Sequence, residues 1–246
     1  MPLYLDIETT GLEDDAAITC AVTLCVSGND HGAAVVRERR WHGEAGEPLP
    51  PAVLRDLVRY LVKVGARKGL GPLVTFNGVG FDLKRLYQAL GTVPEDAALA
   101  EELRYAAREN HLDIMYDLWC DVGYMASLNS FAKAEGLAGK TNSGSWAATS
   151  WTGNPEACQQ VLDYCAADVA VLRGVYERAR THGRLRRLSK AGRESIWVLP
   201  GADVAPHTVR TVSAAHDAYL CHPPNTSWMT DDSKRGTPTD AFAWLV

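Results

Sequence analysis

The sequence predicts an α/β fold, in which an antiparallel three-strand meander plus parallel strands form a mixed central sheet flanked by helices. Three observations carry this expectation. The first 43 residues read as consecutive strands separated by turn residues. Amphipathic helical patterns then alternate with a short apolar run. At 246 residues, 46% hydrophobic and 22% charged, the chain is long enough for one α/β domain with a full core.

Taken in order, "LYLDIET" alternates as a first strand. "AITCAVTLCVSG" is a second, and after a polar "NDHG" turn "AAVVRERRWHG" is a third. "PLPPAVLRDLVRYLVKVGARKGLG" puts Leu54, Leu57, Val58, Leu61 and Val62 on one face, a helix entered through prolines and closed by glycine. "PLVTFNG" is a short apolar strand and "FDLKRLYQAL" a helix. Residues 97–122 read as helical with an interruption near "HLDI", and "SLNSFAKAEGL" as another short helix. "AGKTNSGSWAATSWTGN" reads as a polar loop, and residues 155–181 as the longest late helix. After about residue 194 the chain is Pro-rich without helical periodicity. The expected organisation is a domain over 1–193 and an extension over 194–246 that folds onto it with at most a few short strands.

Composition narrows the function classes. The formal net charge of −5 argues against indiscriminate coating of nucleic acid. The charge is uneven, however: residues 173–193 hold eight Arg/Lys against one Glu. That run is either a solvated helix end favoured by the helix dipole or a surface that meets phosphate. The six cysteines form no C-x-x-C pair, which suits a reduced, intracellular (cytoplasmic) protein. Acidic residues at 6, 8 and 13–15 leave nothing resembling a signal peptide. No apolar run approaches the roughly 20 residues of a membrane span.

Acidic residues in apolar settings are the informative feature. Alternation puts Tyr4, Asp6 and Glu8 on one face of the first strand, with the two carboxylates about 6.6 Å apart, within reach of one ion. D-x-E is common by chance and proves nothing alone. Asp82 in "FNGVGFDLKRL" starts a helix, where it is either an N-cap or a site residue beyond the carboxyl end of a strand. The string N-x-x-x-F-D is far rarer in this composition. In "VLDYCAADVAVLRGVY", Asp168 lies within about 60° of Val161, Cys165 and Leu172 on the apolar stripe, whereas Asp163 lies about 140° away toward solvent. No Lys or Arg shares that stripe between 161 and 172, so Asp168 is either met by a cation or is protonated or solvated at the helix edge. Tyr164 stands one turn before it on the same side.

These motifs in this order, D-x-E in a first strand, N-x-x-x-F-D, then Y-x-x-x-D on a late helix, resemble the DEDD exonucleases, the DnaQ-like branch of the ribonuclease H-like fold. Tyr164, with Asp rather than His at 163, is similar to the DEDDy subclass, and "SLNSFAKAEGLAGK" to predicted PolB-like exonucleases. The resemblance spans roughly residues 1–180 and no polymerase domain accompanies it. It implies a ribonuclease H-like fold and a 3′–5′ exonuclease that releases 5′-nucleotides from the 3′ end of single-stranded DNA or RNA, DNA ahead of RNA. The implied cofactors are two Mg²⁺ or Mn²⁺ ions: Asp6 would bridge them, Glu8 and Asp168 complete the first site and Asp82 support the second. Tyr164 would orient the attacking water. Thr9, Thr10, Gly11 and Leu12 are implied to contact the terminal nucleotide through backbone and an apolar wedge, although turn chemistry explains Gly11 equally well. Asn77 bonds a nucleotide or caps its own turn, and Phe81 is a stacking platform or core. Trp146 and Trp151 stack bases or are packed. Asp113 and Asp117 read as helix-start acids outside the metal set, and Lys140 as a surface or phosphate-contacting lysine. The alternatives are a catalytically silent nucleic-acid-binding module and a ribonuclease H-like endonuclease.

Overall fold

The computed structural model describes residues 2–13, 15–28, 34–65, 71–139, 144–189, 191–200, 209–227 and 236–246. The "NDHG" turn, Lys140 and Lys190 lie outside the described residues. The meander forms as alternation predicts: β1 (Leu3–Thr9) pairs antiparallel with β2 (Ile18–Gly28), and β2 with β3 (Ala34–His42). After α1 (Pro51–Gly65), β4 (Leu73–Thr75) runs parallel to β1, and α2 (Asp82–Gly91) follows it. The sheet order is β3-β2-β1-β4-β5, with β5 (His111–Asp113) parallel to β4. Strand β5 is the expected interruption between α3 (Ala97–Glu109) and α4 (Ile114–Val122). At three residues it is too short to show a period of two.

Each sheet face buries its own core. Leu3, Leu5 and Ile7 pack with Leu57, Val58 and Leu61 of α1 and Leu83 and Leu86 of α2. Tyr4, Cys20, Val22 and Leu24 pack under α7 (Pro155–His182), through Val161, Cys165, Val169 and Leu172. Each fully buried aliphatic side chain there contributes about 1.5–3 kcal/mol. Asn154 caps α7 by accepting the Glu156 N–H at 2.9 Å, Pro155 takes its first position, and Gly183 closes it in the left-handed region at φ 64°. The helix runs opposite to β1: Cys165 Sγ donates to the Asp6 carbonyl at 3.4 Å, whereas Tyr4 Oη donates to Glu177 at 3.3 Å. The carboxyl end of β1 therefore meets the first half of α7, and the basic run 173–193 continues past the opposite end of the strand.

Two expectations are corrected. The stretch 138–154, expected as a loop, contains α6 (Gly144–Ser150) after α5 (Leu128–Ala134). Its composition is that of a loop, but Ala147 is buried against the α7 core, and tertiary packing overrides weak propensity. The region after 194, expected to hold only short strands, has β7 (Glu194–Val198) paired with β6 (Arg184–Leu188), then α8 (Val212–Cys221), α9 (Pro238–Phe242) and a 3₁₀ turn Ala243–Leu245. Helix α8 is short and alanine-rich, so it carries little amphipathic signal; α9 is five residues started by a Thr237–Asp240 capping box. These elements pack on α4, where the His216 ring stacks on Phe242 at 3.8 Å and Tyr116 Oη bonds His216 Nδ1 at 2.8 Å. The β6–β7 hairpin straddles position 193/194. None of the six cysteines is disulfide-bonded. Among the described residues no helix is long and apolar enough to cross a membrane.

Candidate active site

The site opens where β1 and β4 part. Their pairing covers only Leu3–Leu73 and Tyr4–Val74, so the carboxyl end of β1 loses its parallel neighbour and a cleft forms there. The Ile7 N–H at that edge is accepted instead by Asp82 Oδ1 at 3.0 Å. Asp82 is therefore not the cap of α2: the cap position is Phe81, without a side-chain bond, and the Asp82 carboxylate reaches across to β1. It is buried, and burial first and the Asp6 charge second push its pKa well above the usual carboxylate range.

Asp6 is half-buried and Glu8 buried on the face of β1 that α7 covers. Asp168 is buried on the facing side of α7, as its place on the apolar stripe predicts. A cleft of about 410 Å³ brings together Asp6, Glu8, Asp82, Tyr164 and Asp168 with Thr9, Gly11, Leu12, Asn77 and Phe81. Thr10 stands outside it: its side chain is exposed and its hydroxyl accepts the Ala17 N–H at 3.0 Å, tying the turn after β1. Leu12 projects into solvent at the rim, 81% exposed. The Thr9 hydroxyl donates to the Gly11 carbonyl at 2.5 Å, so turn chemistry shapes this edge.

Asn77 adopts the left-handed conformation at φ 73°, which asparagine tolerates better than most side chains. Its N–H and that of Val79 donate to Asp113 Oδ1 and Oδ2, each at 2.9 Å. Asp113 is the cap of α4, accepting Met115 and Tyr116 N–H at 3.1 and 3.0 Å, so one buried carboxylate joins that helix to the loop leading to Asp82. Asp117 lies apart from the cleft, paired with Arg210 at 2.6 Å, and burial pushes its pKa up to about 6 against that pairing. Trp151 is packed, its indole N–H donating to the Glu47 carbonyl at 2.8 Å. Trp146 is half-buried and sets its ring edge-on to Tyr164 at 5.8 Å. Asp163 faces solvent, paired with Arg40 at 2.6 Å, which holds its carboxyl below the usual range.

Two residues of the site have no motif to announce them. Arg85, one turn after Asp82 and buried, donates to the Leu12 carbonyl at 2.7 Å and lies over the Phe81 ring at 5.3 Å. Cys165 donates to Asp6 Oδ2 at 3.5 Å, and ligand atoms of Asp6, Glu8 and Cys165 lie within 4.8 Å of one another. Its place on the Asp168 stripe was the available signal. Burial pushes the Cys165 thiol well up, and the neighbouring carboxylates add to this, so it is a protonated donor here.

The donor set fits a hard divalent cation. Carboxylate oxygens from β1, α2 and α7 face one cleft, and the Asp6 charge, which adds to burial in raising Asp82, is a repulsion of the kind a bound cation relieves. Asp6, Glu8, Asp82 and Asp168 are the residues that would hold it.

A family model described as RNase_H superfamily matches residues 3–180. No curated protein matches the chain. Among solved structures the chain is similar to the family B DNA polymerase of the archaeon Pyrobaculum calidifontis, at 18% identity and a TM-score of 0.50, over 72% of this chain and 24% of the polymerase. It is also similar to E. coli exonuclease I in complex with a dT13 oligonucleotide, at 12% identity and a TM-score of 0.35, over 79% of this chain and 51% of that one. The chain thus spans about a quarter and about half of these two proteins. With the mixed five-stranded sheet and the match over most of its length, the chain belongs to the RNase_H superfamily.

Proposed function

We propose that the chain is a metal-dependent 3′–5′ exonuclease of the DEDDy type, removing 5′-nucleotides from the 3′ end of single-stranded nucleic acid, DNA ahead of RNA. One observation carries the reading: four acids from three separate elements, with Tyr164, line one cleft beside the exposed Leu12. Like-charged carboxylates gathered in a partly buried cleft oppose folding, so a silent binding module gains nothing by keeping them. The family B polymerase neighbour supports placing DNA ahead of RNA.

In this mechanism Asp6, Glu8, Asp82 and Asp168 would hold two Mg²⁺ or Mn²⁺ ions. When bound, the ions supply charge that offsets the negative charge developing on the phosphate and make the attacking water more acidic. Tyr164 holds that water in line with the scissile bond; a phenol hydroxyl orients the water by hydrogen bonding and does not act as its base. Asp82 draws β1 toward α2 through the Ile7 N–H, setting the width of the cleft. Leu12 and Phe81 wall the terminal base, and Arg85 fixes both walls. Asn77 and the backbone of Thr9–Gly11 face the sugar and phosphate.

The test is to incubate the protein with Mg²⁺ or Mn²⁺ and single-stranded DNA and RNA labelled at either end, alongside a circular strand. The expected result is mononucleotide from a 3′ label at once and a shortening ladder from a 5′ label, with the circle intact. A cut circle would indicate an endonuclease, and binding without cutting a silent module.

A further inference from the structure

We infer that the β6–β7 ribbon, with the last turns of α7, is a second nucleic-acid-contacting surface that grips the phosphate backbone of the strand upstream of its 3′ end; this rests on the proposed reading of the cleft. The ribbon has one buried and one open face. Leu185 and Trp197 are buried, and the Trp197 indole donates to Asp121 at 2.9 Å. On the open face Arg184 stands opposite Val198 and Arg186 opposite Ile196. Val198 is 60% and Ile196 53% exposed. Guanidinium groups alternating with exposed aliphatic side chains match a polynucleotide, whose charged phosphates alternate with apolar sugar and base faces.

A solvated helix end accounts for only part of the run. Arg180 and His182 sit in the last turn of α7, where the dipole favours cations, and Arg180 also pairs with Glu177 at 3.1 Å. Arg184 and Arg186 lie past the helix end, and no dipole explains them. Arg187 stacks on Tyr124 at 4.2 Å, and Arg186, still 45% exposed, lies 3.6 Å from Glu135. No carboxylate among the described residues pairs with exposed Arg178 or Arg184. In a chain of net charge −5 this concentration of cations singles out a polyanion.

Position makes the strand itself the fitting occupant. Helix α7 carries Asp168 in the cleft, and Arg178 follows about 15 Å further along at 1.5 Å per residue. A strand with its 3′ end in the cleft reaches the ribbon after a few nucleotides. Affinity should then depend on length, whereas the cleft alone would recognise the last few nucleotides only.

The experiment is fluorescence anisotropy in EDTA, so that no strand is cut, with single-stranded DNA of about 3 and about 18 nucleotides, a span bracketing common single-strand site sizes of about 4–16. The longer strand should bind the native protein more tightly. In the double variant Arg178→Gln/Arg184→Gln that gain should be lost, and the slope of log K against log salt should fall by about 1.4, two single-strand phosphate contacts. Between 50 and 200 mM salt this corresponds to a difference of about sevenfold in salt sensitivity. Arg178→Lys/Arg184→Lys should restore both, which separates lost charge from a damaged fold. Equal affinity for the two lengths, or an unchanged slope in the glutamine variant, overturns the inference and leaves the ribbon to an acidic protein partner. Length-dependent binding without Mg²⁺-dependent cutting would sink the exonuclease reading and keep the ribbon; cutting without a length effect would do the reverse.

Discussion

Replacing Asp113 with alanine should be among the most damaging single changes in the chain, although Asp113 does not line the cleft. Its carboxylate is 1% exposed and accepts four backbone N–H groups: Asn77, Met115 and Tyr116 on Oδ1 and Val79 on Oδ2. Losing the cap of α4 costs about 1 kcal/mol, up to 2. Leaving the Asn77 and Val79 N–H groups without their acceptor costs about 1–3 kcal/mol each. The sum is about 3–8 kcal/mol, a large share of the 5–15 kcal/mol typical of a domain. Asp113→Asn can keep the oxygen that serves three N–H groups but turns its amide NH₂ toward the Val79 N–H, so it should cost about 1–3 kcal/mol. Urea unfolding of the metal-free protein measures both, and turnover should fall with them because the loop they hold leads into Asp82. A cost below about 1 kcal/mol for Asp113→Ala would refute the reasoning, since that is the range of an exposed ion pair.

Asp6→Ala and Asp168→Ala should each abolish turnover yet remain folded, because each relieves carboxylate repulsion. Asp82→Ala should abolish turnover and remain folded while that relief is offset by about 1–3 kcal/mol for the Ile7 N–H left without its acceptor; circular dichroism with an exonuclease assay checks both. Asp163→Ala removes only the exposed pair with Arg40 and should leave turnover nearly unchanged; equal loss for Asp163 and Asp168 would contradict the helix-face assignment. Tyr164→Phe keeps the ring packed on Trp146 but loses the hydroxyl, so kcat should fall by about 10²–10⁴ at most, measured at saturating substrate. Burial lowers the pKa of His111, whose ring nitrogens meet Thr75 Oγ1 at 2.7 Å and the Ala107 carbonyl at 3.1 Å. Its unfolded form therefore binds protons first: its contribution is fully present above the unfolded pKa of about 6.5 and is lost as pH falls through the lowered folded value. Urea midpoints for wild type and His111→Gln should converge between about pH 7.5 and pH 5.5; a constant gap would contradict this.

What the sequence determined by itself is the local part. Alternation in "LYLDIET" sets Asp6 and Glu8 on one face of β1, and the period of α7 turns Asp168 inward and Asp163 outward; these faces follow from backbone geometry within a few residues. Caps and glycines set the ends of α7 for the same reason. Short or weakly patterned elements were not legible: β5 has three residues, α6 is built of loop-forming residue types, and α8 shows no clear apolar stripe. The long-range contacts were not legible either. Nothing within ten residues of Asp82 says that its carboxylate leaves its own helix for the Ile7 N–H, 75 positions away, or that Arg85 holds Leu12, or that Arg40 meets Asp163. The basic run read as one feature, and tertiary structure divided it between a helix end and a ribbon. Dihedral preference and periodicity are local properties of a chain. Which buried polar group finds which partner is decided only when packing brings distant segments together and leaves each polar group to be satisfied by what lies beside it.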